Sequence, residues 1–138
     1  MRWLDRTLLA SPFPWCLCTT QKQFNRAMKK LGTTPEGYLL DGASATTHFV
    51  GSKRHGRAII VSLGPTGGRT KAQVYSILVH EAVHVWQEIL EGAREDKASS
   101  ELEAYCVQAL TQALFTEYER QVSQPARKGK HRRSKNGK

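Results

Sequence analysis

Residues 75–87 read Tyr-Ser-Ile-Leu-Val-His-Glu-Ala-Val-His-Val-Trp-Gln, with the pattern H-E-x-x-H at His80, Glu81 and His84. On a helix, residues four apart share a face, so both imidazoles can reach one ion with the glutamate beside them. Two such histidines are metal ligands, and a carboxylate in that place is a general base toward a water molecule. The flanks strengthen the reading. Val74, Ile77, Leu78, Val79, Val83, Val85, Trp86 and Ile89 make the segment apolar nearly all round, which predicts a helix placed in a core. Polar groups buried there need partners, and a metal supplies one.

Working outward, the spacing predicts this helix from about Thr70 to Leu90, with Gly92 as its stop. A last helix is expected from about Ser100 to Arg120, its apolar stripe running through Leu102, Cys106, Ala109, Leu110 and Ala113. Upstream, 45–50 (Ala-Thr-Thr-His-Phe-Val) and 57–63 (Arg-Ala-Ile-Ile-Val-Ser-Leu) are rich in β-branched and aromatic residues and read as strands. Gly51-Ser-Lys-Arg-His-Gly56 suits a hairpin loop between them, and Tyr38-Leu39-Leu40 a further short strand. Thr19 or Thr20 is expected to cap a helix ending at Leu31 before Gly32, with Phe24, Ala27, Met28 and Leu31 inward. Residues 1–10 suit a short helix, broken by the prolines of Ser-Pro-Phe-Pro-Trp (11–15). The fold class expected is α+β.

A catalytic zinc takes three protein ligands and keeps one position open. The third candidate lies in Ser99-Ser-Glu-Leu-Glu-Ala-Tyr-Cys (99–106). Glu101 and Glu103 lie about 200° apart on a helix and cannot share one metal. Glu103 stands at the edge of the apolar stripe and is assigned as ligand, with Glu101 in a supporting role or in solvent. Ser100-x-x-Glu103 also fits a capping box. Tyr105 is a candidate hydrogen-bond donor to a developing oxyanion, and His48 a structural, substrate-facing or acid–base residue. His55, in a Lys-Arg-His-Gly loop, is expected in solvent. Cys16-x-Cys18 without a partner pair is a weak metal motif, and Cys106 reads as core packing.

Eighteen residues separate His84 from Glu103, and H-E-x-x-H-x18-E resembles the gluzincin metallopeptidases. The chain looks like a very small gluzincin, similar to minigluzincins and to compact HExxH proteins of bacteriophage genomes, over roughly residues 45–115. The resemblance implies a zincin-like fold, with a small antiparallel or mixed sheet packed on an active-site helix and a C-terminal glutamate helix. It implies zinc on His80, His84 and Glu103, water activation by Glu81, and a peptide or protein substrate laid along an edge strand. Thermolysin-like members carry Asp four residues after the ligand glutamate; here that position is Val107.

Length predicts one domain over residues 1–124. The chain carries 21 Lys and Arg against 12 Asp and Glu, a net charge of +9. All twelve acids precede residue 120, and seven of the basic residues fall in 125–138, so the body is +2 and the tail +7. That tail is too polar to build a core and is expected to be disordered. Clustered Lys and Arg favour non-specific nucleic-acid contact. This leaves an alternative function: a zincin-like metal-binding protein without proteolytic activity that meets nucleic acid or an acidic partner through its tail. Three cysteines, an odd number, predict reduced thiols and a cytoplasmic setting. No stretch approaches a membrane span.

Overall fold

The computed structural model describes residues 1, 3, 13–34, 37–52 and 56–123. The expected helix over 1–10, His55 and the basic tail therefore lie outside or largely outside the described residues. In chain order the elements are β1 (Trp15–Cys18), α1 (Gln21–Leu31), β2 (Ala45–Ser52), β3 (Gly56–Leu63), α2 (Lys71–Ala93) and α3 (Ser100–Ser123). The class is mixed α and β, as expected, with three helices and one three-stranded mixed sheet among the described residues.

The sheet order is β1-β3-β2. β3 pairs parallel with β1, with Leu17 opposite Val61, and antiparallel with β2, with Thr47 opposite Val61. Alternation along the strands builds two cores. Trp15, Leu17, Ile59, Val61 and Leu63 face α2 and α3. Cys16, Cys18, Ala58 and Ile60 face α1 through Phe24, Ala27, Met28 and Leu31. The sheet is thus sandwiched, with one helix on one face and the α2–α3 hairpin on the other.

Local chemistry sets most of the boundaries. Thr20 caps α1 by accepting from the Gln23 amide, and Gly32 closes it at φ 72°, a left-handed value that glycine takes without strain. Thr70 and Gln73 form a reciprocal capping box at the start of α2. The stop of α2 differs from expectation. Gly92 lies inside the helix, and Arg94 takes the left-handed cap at φ 58°. Ser99, not Ser100, caps α3, since its hydroxyl accepts from the Leu102 amide at 3.3 Å.

Two strand expectations change. Tyr38-Leu39-Leu40 is not a strand, and Trp15–Cys18, just past the prolines, is one. Tyr38 has a different use. Its hydroxyl sits 2.6 Å from the Leu63 carbonyl oxygen and 3.0 Å from that of Cys18, pinning the ends of the two parallel strands. Burial pushes its phenol well above the ordinary tyrosine range.

Candidate metal and hydrolytic site

His80 and His84 emerge from the middle of α2, and their Nε2 atoms stand 3.1 Å apart. Two imidazole nitrogens bound to one tetrahedral zinc lie about 3.3 Å apart, given Zn–N bonds of about 2.0–2.1 Å. The pair therefore fits two positions of such an ion. His84 Nδ1 lies 3.2 Å from Gln87 Oε1. With the proton on Nδ1, that contact is a hydrogen bond to the amide oxygen and turns the Nε2 lone pair outward. Gln87 is thus the neighbour of the His84 ring, at the i+3 spacing that brings two side chains together on a helix but that the H-E-x-x-H pattern does not include.

Glu81 differs sharply from its two neighbours. His80 is exposed and His84 half-buried, while Glu81 is only 4% exposed. The expectation that all three sit in the core is corrected in this respect. A helix turns about 100° per residue, so the face that buries Glu81 against the sheet leaves His80 at the rim. Thr47 Oγ1 on β2 donates to Glu81 Oε2 at 2.6 Å. This satisfies one oxygen of a buried carboxylate and ties α2 to the edge strand. Thr47 is 34 residues away in sequence, and no local pattern announces it. A cleft of about 430 Å³ opens here between residues 43–45 and α2, with His80 and Glu81 in its wall.

Glu103 does not join the histidines. It is exposed in the first turn of α3, and it does not line the cleft. Among the described residues, no group of three or more His, Cys, Asp or Glu side chains stands close enough to hold a metal. The packing of the hairpin gives the reason. Tyr75 stacks on Phe115 at 3.9 Å and meets Tyr118 edge-on, which places α3 along the Tyr75 flank of α2. Tyr75 and Ala82 lie on one side of Glu81, and His80 and His84 on the other. The expected stripe of α3 shifts as well. Cys106, Leu110, Leu114 and Glu117 are buried, and Leu102 is 43% exposed.

The other candidates separate cleanly. His48 points to the α1 side of the sheet, opposite to Thr47. Its Nε2 lies 3.0 Å from the Tyr38 carbonyl oxygen, and its ring packs 4.8 Å from that of Phe24. It is structural, on the face of the sheet opposite to Glu81, where it has no acid–base role at the cleft. Tyr105 and Glu101 are exposed and lie outside the cleft wall. Val107 packs against the core, and Cys106 is 2% exposed within it.

Comparison with protein-family models, with curated proteins and with solved structures returned no match. No helix among the described residues is long and apolar enough to cross a membrane.

Proposed function

We propose that this chain is a zinc-dependent peptide hydrolase in which His80 and His84 hold the metal and Glu81 is the general base. The observation that carries this reading is the pair of Nε2 atoms 3.1 Å apart beside a buried carboxylate in a cleft wall. Zinc bound there would supply Lewis acidity and lower the pKa of a water molecule. Glu81 would serve as the base toward such a water and as the acid toward the leaving amine. With Oε2 engaged by Thr47, Oε1 would be the oxygen that carries the proton. β2 is an edge of the sheet, and its free side offers main-chain partners to an extended peptide. Glu103, nominated by its spacing, stands apart from the pair, so the two histidines carry the metal in this proposal.

Elemental analysis of the purified protein tests the metal. About one zinc per chain is expected, lost in His84→Ala. A Glu103→Ala variant that keeps full zinc removes Glu103 from the ligand set. Glu81→Gln should keep zinc and lose peptide hydrolysis by about 10²–10⁴-fold. Full activity in that variant would sink the mechanism.

The two-imidazole set itself favours a second reading, because no third acidic or sulfur ligand joins it among the described residues. In that reading the chain binds metal without proteolysis and uses its basic tail on nucleic acid or an acidic partner. Deleting residues 125–138 decides it. Salt-sensitive nucleic-acid binding should disappear with the tail.

A further inference from the structure

The second core holds four sulfur atoms that the proposed hydrolytic site does not use, those of Cys16, Cys18, Met28 and Met1. Cys16 and Cys18 are two apart on β1, so both side chains leave the same face, toward α1. Both are fully buried. The two cysteines belong to one buried cluster with Phe24 and Met28 of α1. Cys18 Sγ lies 3.6 Å from the Met1 thioether sulfur. Met1 is half-buried and packs on this cluster from its outer side.

A second observation points the same way. Ser62 stands directly opposite Cys18 in the parallel pairing, on the same face of the sheet. It is fully buried, and its hydroxyl has no hydrogen-bond partner among the described residues. A buried hydroxyl without an acceptor costs about 1–3 kcal/mol. Neutral thiols are weak acceptors, but a thiolate beside Ser62 would accept well. Ser62 thus offers an unused donor beside Cys18.

We infer that Cys16, Cys18 and Met1 form a site for a soft monovalent metal ion, copper(I), with Ser62 as a hydrogen-bond donor to the bound thiolates. Two thiolates and a thioether are the donors that favour copper(I). Structural zinc takes four nitrogen, thiolate or carboxylate ligands, and the neighbouring Ala58, Ile60 and Met28 offer none of these. Binding is an exchange without electron transfer. One copper(I) ion enters, the two thiols release two protons to water, and the site changes charge by −1. The site shares no residue with His80 and His84 and does not depend on the hydrolase reading.

The test is an anaerobic titration of the reduced full chain with copper(I), added as its acetonitrile complex, against the chromophoric chelator bicinchoninate. One copper per chain should be held against the chelator, and X-ray absorption should show a shell of sulfur only. Cys16→Ala and Cys18→Ala should each weaken retention by more than about 100-fold, and Ser62→Ala by about 10-fold at unchanged stoichiometry. Cys106→Ala should change nothing, and circular dichroism on each variant separates loss of the site from loss of the fold. Complete transfer of copper to the chelator by the folded wild type overturns the inference. So does retention that survives the Cys16→Ala/Cys18→Ala double substitution, or a nitrogen shell that puts the ion on His80 and His84.

Discussion

Thr47 and Glu81 show how much one side-chain contact can carry. The hydroxyl is the partner of a carboxylate that is almost wholly out of water. Replacing Thr47 by Val keeps the shape and removes the donor, so chemical denaturation should show a loss of about 1–3 kcal/mol. Thr47→Ser should recover most of it. If the hydrolase reading holds, Thr47→Val also lowers turnover, because the base loses its tether to the edge strand. A second buried carboxylate is independent of the site. Glu117 is fully buried and accepts from Arg120 through Nε at 2.8 Å and Nη2 at 2.6 Å, and from Gln121 Nε2 at 2.8 Å. The bond to Glu117 raises the Arg120 guanidinium above its already high range. Arg120→Ala removes two donors to a buried carboxylate, and a loss of about 1–3 kcal/mol is expected. An Arg120→Ala protein as stable as wild type in urea titration would show that the remaining partners of Glu117 suffice.

Among the elements, α2 is the organiser. One helix supplies Trp86, Val85, Ala82 and Leu78 to the main core, Glu81 and Glu88 to the sheet side, and the histidines to the rim. Glu88 is paired with Arg57 at the start of β3 at 2.5 Å, so the helix is tied to the sheet by a second polar contact. Trp86 is 2% exposed, and truncation to Ala should cost about 3–5 kcal/mol. The turn after β3 is tight. A Cβ at Gly64 would stand 2.9 Å from the Ser44 carbonyl oxygen, a backbone atom that cannot rotate away. Gly64→Ala should therefore shift residues 43–45, which wall the cleft. We expect about 1–3 kcal/mol of destabilisation and weaker zinc retention than in wild type. The boundaries of α1, β2 and β3 were legible because capping residues, glycine and β-branched runs act locally. β1 was not. Four residues after two prolines carry too little periodicity, and Trp15–Cys18 is a strand only because β3 lies beside it.

At the scale of the molecule, a ligand that binds only the folded chain stabilises it by mass action. Zinc at about 100 times its dissociation constant should add about 2.7 kcal/mol. Thermal denaturation with zinc and then with excess chelator measures this, and identical midpoints would leave His80 and His84 as surface histidines. The sequence alone determined that α2 is a helix, that His80 and His84 share one of its faces, and that Glu81 lies beside that face. Those are consequences of a 3.6-residue repeat and need no neighbour. Assembly decided which side of α2 each neighbour takes. α3 returns along the Tyr75 flank, away from the histidines, so the eighteen-residue spacing to Glu103 does not become proximity. The same assembly set Thr47 under Glu81, turned His48 to the opposite face, and gathered Met1, Cys16 and Cys18 in one core. Side-chain direction along a helix or strand follows from local geometry. Contact between elements follows from which apolar faces bury one another, and that is a property of the whole chain.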